Sequence, residues 1–176
     1  MTDRVAILGA GKMGEALLSG LLRSGFPAGS LVISTRSRER ADVLKERYGV
    51  EVAESATAAK SADTVVIAVK PQDMSALLDE IADQVSADQL VVSVAAGITT
   101  SFLEARLADD VPVVRVMSNT PVLVDEAMSA LSAGSHAEEA HLLRTEALLQ
   151  PVGRTIRVPE SRSITAAPIA VCTIRS

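Results

Sequence analysis

Arg4-Val-Ala-Ile-Leu-Gly-Ala-Gly-Lys-Met-Gly14 decides the reading of this chain, because a short apolar run passes there directly into a cluster of glycines. Val5 to Leu8 has the continuous apolar pattern of a strand covered on both faces in a parallel sheet. Gly9, Gly11 and Gly14 follow with the spacing G-x-G-x-x-G, and a helical pattern begins behind them. Each glycine has its own physical reason. Gly9 permits a tight turn, Gly11 lets a pyrophosphate approach the backbone without meeting a Cβ, and Gly14 lets the helix pack close to the strand. The free N–H groups of the helix's first turn then face the phosphates, with the positive end of the helix dipole behind them. Glycine triplets also occur in ordinary loops, so the flanking strand and helix carry the inference. Leu8, Gly9, Ala10, Gly11, Lys12, Met13 and Gly14 are the expected dinucleotide-contacting set.

Downstream, Glu15 to Ser24 has apolar residues at Ala16, Leu17, Leu18, Leu21 and Leu22, a helical stripe, with Gly25 as its C-cap. Leu31 to Ser34 is the second strand. A dinucleotide fold that prefers NAD carries an acidic residue about 20 positions past the glycines, on the ribose hydroxyls. This chain has Ser34-Thr35-Arg36-Ser37-Arg38 instead. Hydroxyls and guanidinium groups suit a 2′-phosphate, so Ser34, Thr35, Arg36 and Arg38 point to NADP(H), with NADH as the weaker ligand. The plainer reading makes Arg36, Arg38 and Arg40 the solvated start of a helix, although positive charge there opposes the dipole.

The alternation then repeats. Strands are expected at 50–52, 64–69, 90–94, 113–117, 127–132 and 153–158, and helices at 39–48, 55–61, from Asp73 or Ser75 towards Val85, at 101–107 and at 137–149. Ser101 with Glu104, and Ser135 with Glu138, have capping-box spacing. Lys70-Pro71 ends the most hydrophobic strand and turns the chain at a strand's carboxyl end, the edge where open α/β sheets bind ligands. Ala95-Ala96-Gly97 would let a ribose or flat ring lie against backbone. The predicted fold is α/β: a Rossmann-like, doubly wound, mostly parallel sheet with helices on both faces.

Composition narrows the function classes. The 176 residues are 48% hydrophobic and 22% charged, enough for one well-buried domain. A net charge of -5 and 2% aromatic content argue against a nucleic-acid partner. No apolar run approaches the ~20 residues of a membrane span and the N-terminus has no signal-peptide pattern, so a cytoplasmic location is the expectation. The single cysteine, Cys172, offers no disulfide framework and no nucleophile context. His136 and His141, five apart, lie about 140° apart around a helix, which does not suit a shared metal. No residue stands out as a general acid.

Four motifs, Gly9-Ala-Gly-Lys-Met-Gly14, Ala68-Val-Lys-Pro-Gln72, Ser93-Val-Ala-Ala-Gly-Ile98 and Arg115-Val-Met-Ser-Asn-Thr-Pro121, stand in this order. Together they resemble the pyrroline-5-carboxylate reductase family over about residues 4 to 160. The resemblance implies an NADPH-preferring enzyme that reduces the C=N bond of 1-pyrroline-5-carboxylate to L-proline, and a homo-oligomer. By the same resemblance Ala68, Val69, Lys70 and Pro71 line the cofactor, Ser55 lies on its adenosine side and Ala95, Ala96 and Gly97 near the nicotinamide ribose. Asn119 would touch cofactor and substrate, and Thr120 and Glu160 the substrate. The family usually has Pro at the position of Ser118 and commonly Asn at that of Ser55. From Ser161 the likeness stops: residues 1–160 read as the NADP-binding domain and 161–176 as a divergent, poorly ordered tail, as a frame change or early stop would produce. Another reductase built on the same nucleotide domain, hydroxyacid or deazaflavin-linked, and a non-catalytic nucleotide-binding module are the alternatives. A chain lacking the family's substrate loop is expected to bind NADPH without turnover.

Overall fold

In a computed structural model that describes residues 3–119 and 126–163, the opening apolar run forms β1 (Val5–Leu8), buried at every position. β2 (Leu31–Ser34), β4 (Thr64–Ile67) and β5 (Leu90–Ser93) are buried in the same way. Joined by β3 (Glu51–Val52), β6 (Val113–Ser118), β7 (Ala127–Ala133) and β8 (Gly153–Arg157), they make an eight-stranded sheet in the order β3-β2-β1-β4-β5-β6-β7-β8. Pairing is parallel except between β6 and β7. The connection from Ser118 to Ala127 is shorter than the dozen or so residues a parallel crossover needs, so β7 must run back along β6.

Helices cover both faces: α1 (Lys12–Arg23), α2 (Arg38–Tyr48), α3 (Ser55–Lys60), α4 (Met74–Ile81), α5 (Thr100–Glu104), α6 (Glu139–Leu149) and α7 (Glu160–Ser163). Alternate strand residues feed two cores. Ile7, Ile33, Val92 and Val114 pack with Leu18, Leu44 and Leu148 of α1, α2 and α6. Ala6, Leu8 and Ile67 pack with Ala58, Met74, Leu78 and Leu103 of α3, α4 and α5. Burying a side chain such as Leu18 or Leu78 contributes about 1.5–3 kcal/mol, which is why continuous apolar strands, unlike alternating ones, demand helices on both sides. The doubly wound expectation is met.

Local differences from the sequence reading have local causes. α1 begins at Lys12, earlier than Glu15, because extended Gly11 serves as N-cap and its carbonyl accepts from Glu15 N–H at 2.9 Å. The same helix stops at Arg23 with Ser24 as C-cap, and Gly25 follows in the left-handed region. α5 is capped by Thr99, whose hydroxyl accepts from Phe102 N–H at 3.2 Å, and it ends at Glu104. The Ser101–Glu104 box does not form, since Glu104 reaches out to the Ser135 N–H and hydroxyl. That contact also removes Ser135 from capping α6. Glu138 caps it instead, in a reciprocal box with His141, whose Nδ1 accepts from Glu138 N–H at 2.9 Å. His141 is therefore a half-buried structural group. The tail expected from Ser161 begins inside α7, and residues 164–176 lie outside the described residues. Among the described residues no helix is long and apolar enough to cross a membrane, and no cluster of three or more His, Cys, Asp or Glu could hold a metal ion.

One polar network joins α1 to α2. Glu15 accepts from Tyr48 Oη at 2.9 Å and is flanked by Arg40 and by Arg47 at 3.3 Å. Burial alone would raise the Glu15 pKa, but the hydrogen bonds from Tyr48 and Arg40 and the two positive charges outweigh it and hold the carboxyl below its ordinary value. A carboxyl with a lowered folded-state pKa stabilises the protein above its unfolded pKa, and the contribution disappears as pH falls through the folded value. Glu15→Gln should lower the melting temperature at pH 7, and the gap to the parent should close below the carboxylate range. A gap independent of pH would mean the charge is not what matters.

Candidate functional site

The three glycines divide their work. Gly9 turns the chain with φ +96, and a Cβ there would stand 2.8 Å from the backbone of Ala68 and Val69, so the ends of β1 and β4 abut. A Cβ on Gly14 would fall onto the Gly9 carbonyl oxygen and come within 3.3 Å of Ile7 Cγ2. Gly11 has nothing within 4 Å of that position. Two glycines are thus required by packing, and the third faces open space.

That space is a cleft of about 510 Å³ lined by Gly11, Lys12, Met13, Ala68, Val69, Lys70, Val94, Ala95 and Ala96, within the range typical of small-molecule sites. It lies at the carboxyl ends of β1, β4 and β5, the crevice where the strand order reverses direction. The Gly9 N–H is taken by Ser34 O at 2.9 Å. The N–H groups of Lys12, Met13 and Gly14, in the first turn of α1, have no acceptor within the helix. With the helix dipole behind them and the exposed Lys12 and Lys70 at the rim, they give the cleft the electrostatics that suit an anion. Arg40 fixes the turn from below, its Nε donating to Ala10 O at 3.1 Å while its other end meets Glu15.

A smaller recess of about 80 Å³ adjoins the cleft through Val69, lined also by Gly9, Ser34, Thr35, Arg36, Ser55, Ala76, Leu77 and Glu80. Ser34 and Ser55 share a hydrogen bond of 2.7 Å between hydroxyls. Arg36 donates to Asp73 Oδ1 at 2.7 Å.

The structure therefore brings together most of the residues that the sequence singles out and separates a few. The side chains of Leu8 and Ala10 are buried in the core, which leaves only their backbone to meet a ligand, and Gly14 combines a packing requirement for a missing Cβ with a free N–H. Arg38 is the first residue of α2, exposed and outside the recess, because Ser37 caps that helix and turns it away. Pro71 opens the short turn before α4, and Gly97 makes an exposed turn with φ +74, neither of them in the lining. Asn119 lies at the carboxyl end of β6, where its Oδ1 accepts from Met128 N–H at 2.9 Å. Ser118 pairs with Ser129 through hydroxyls 2.6 Å apart. Thr120 lies outside the described residues. Glu160 accepts from Thr100 N–H at 3.0 Å and pairs with Arg115 at 3.3 Å, so one carboxylate oxygen is committed to the fold. Asp73, Ala76, Leu77, Glu80 and Val94 were not anticipated. The first four fall at i, i+3, i+4 and i+7, one helical face, and that spacing was available in the sequence.

The family model described as "NADP oxidoreductase coenzyme F420-dependent" matches residues 4–97, more than half of the chain. The chain belongs to this family. Its curated relatives include the pyrroline-5-carboxylate reductase of Mycobacterium tuberculosis, 41% identical over 165 residues, a match covering 90% of this chain and 56% of that protein. The enzyme of the same name from Pseudomonas aeruginosa is 37% identical, with 94% and 61% covered. The solved structure of a pyrroline-5-carboxylate reductase from Coxiella burnetii superposes with a TM-score of 0.87 at 29% identity, over 93% of this chain and 62% of that one. The family member described here thus spans little more than half the length of these reductases.

Proposed function

We propose that residues 1–160 are the NADP(H)-binding domain of a pyrroline-5-carboxylate reductase, reducing the C=N bond of 1-pyrroline-5-carboxylate to L-proline. The family match ends at residue 97, whereas the likeness to the reductases runs over 165 residues, through β6 and beyond. That extension is the observation that carries the reading, because the nucleotide unit alone is shared by reductases of other substrates. A panel of imine, hydroxyacid and deazaflavin substrates separates those alternatives. NADPH should bind, any turnover should be confined to the cyclic imine, and turnover of another substrate would replace the assignment.

The residues fit a dinucleotide. Gly11 leaves the cleft open where a Cβ would intrude, the first-turn amides of α1 supply donors for the pyrophosphate, and Ser34, Thr35, Arg36 and Ser55 surround the adenosine end. The small residues Ala68, Ala95 and Ala96 let the nicotinamide half lie against backbone, near Asn119 at the end of β6. When bound, the cofactor supplies the hydride; the chain's part is to bind it, orient it and exclude water. Arg36 is the cation in the lining that suits a 2′-phosphate. Fluorescence titration should show NADPH binding more tightly than NADH. Arg36→Ala should weaken NADPH by about 1.5 kcal/mol, roughly tenfold, and NADH far less. Arg38→Ala, outside the recess, should cost little with either. Equal losses for both cofactors in Arg36→Ala would reject the 2′-phosphate assignment.

A further inference from the structure

Asp73 ends the short turn Pro71–Asp73 and passes directly into α4 with helical backbone angles, φ -94 and ψ -6, so its carboxylate is not used on the N–H groups of its own helix. That carboxylate takes the guanidinium of Arg36, a residue of the small recess's lining, at 2.7 Å. Glu80, two turns along the same face, lines that recess as well. The lining holds one guanidinium, so a ligand phosphate entering there must take Arg36 from Asp73 and settle close to a second carboxylate.

We propose that Asp73 is a specificity-determining residue: it holds the Arg36 of the recess lining and sets how strongly the chain prefers a 2′-phosphorylated nucleotide over the unphosphorylated one. This rests on the nucleotide-binding reading given above. The ion pair is largely in water, with the Arg36 side chain 70% exposed, so it is weak enough to exchange. A phosphate, with more charge and more acceptor oxygens than a carboxylate, wins the guanidinium but must overcome the pair and the repulsion from Asp73. An unphosphorylated ribose meets neither. Asp73 therefore acts against NADPH and leaves NADH nearly untouched, which lowers the discrimination that Arg36 alone would give.

The test is titration of the purified chain with NADPH, NADH and the adenosine-end fragments 2′,5′-ADP and 5′-AMP. Asp73→Asn should tighten NADPH and 2′,5′-ADP about three- to tenfold and change NADH and 5′-AMP less than twofold. In the Arg36→Ala background the same substitution should bring no more than a twofold gain, because the group that Asp73 sequesters is gone. Asp73→Ser serves as a second variant and should behave like Asp73→Asn. Binding of both nucleotides with an unchanged preference in these variants would overturn the inference while leaving the nucleotide reading intact. Loss of NADH affinity in Asp73→Asn would also overturn it, since Asp73 would then be an acceptor for the ribose hydroxyls. No binding of any nucleotide by the parent chain would overturn both readings.

Discussion

Gly11→Val is expected to abolish binding of NADPH and NADH alike, by about a hundredfold or more, ~2.7 kcal/mol, while thermal unfolding stays within a few degrees of the parent. Gly11 has φ -77 and ψ -161, extended backbone open to any L residue. Its missing Cβ would meet no protein atom within 4 Å. The fold has no need of a glycine there, and the side chain would project into the cleft in front of the α1 amides. Gly14→Ala should behave in the opposite way, because its Cβ would land on the Gly9 carbonyl oxygen and force α1 away from β1. Overpacking of this kind costs about 1–3 kcal/mol, read as a lower melting temperature. Titration and melting on the same two proteins separate a ligand-facing glycine from a packing glycine. Retained cofactor affinity in Gly11→Val would reject the cleft as the pyrophosphate site.

The fold was legible because its strands are extreme. Val5–Leu8, Leu31–Ser34, Thr64–Ile67 and Leu90–Ser93 are each buried throughout, and four such runs separated by helical patterns admit few arrangements besides a doubly wound parallel sheet. What the sequence obscured were helix ends, where the winner among several capping residues depends on a distant partner. Ser101 and Glu104 have the right spacing, yet Glu104 is claimed by Ser135, thirty-one residues away. That single contact displaced two expected caps at once, leaving Thr99 to start α5 and Glu138 to start α6.

At the cleft, motif spacing could locate backbone but not side-chain commitments. Arg36, Arg38 and Arg40 look alike in sequence, and the structure gives each a different role: Arg36 lines the recess and pairs with Asp73, Arg38 opens α2 and faces solvent, and Arg40 holds the Ala10 carbonyl beneath the glycine turn. The deciding factor is the Ser37 N-cap, which starts α2 between the first and second of them. Asp73, which pairs with Arg36 from the start of α4, was invisible to any reading that searched only the residues after the second strand for the adenosine end. A carboxylate can reach that position from a helix nearly forty residues on.

Arg115→Ala should produce the largest loss of stability in the sheet, about 3 kcal/mol, or roughly 6–12 °C in melting temperature for a chain of this size. Arg115 lies in the middle of β6, 4% exposed, with Ser93 and Ser132 as its register neighbours in β5 and β7. Its guanidinium meets Glu160 at 3.3 Å, and the same Glu160 oxygen accepts the Thr100 N–H, so one buried pair ties the start of α7 to β6 and to α5. Removing the cation would strand a largely buried carboxylate and open a cavity beside the strand. Arg115 Nε and Glu160 Oε2 are both buried without a hydrogen-bond partner, so the pair is imperfectly satisfied to begin with, which places the cost at the lower end of the usual 3–5 kcal/mol for breaking a buried pair. Arg115→Met retains the stem's packing and should recover part of the loss. Combining it with Glu160→Gln removes the orphaned charge and should recover more, so that the double variant is more stable than Arg115→Met alone. Denaturant unfolding of the parent, Arg115→Met, Glu160→Gln and the double variant gives the coupling energy directly. A coupling within about 0.5 kcal/mol of zero would mean that packing alone positions the segment at which the chain leaves the sheet.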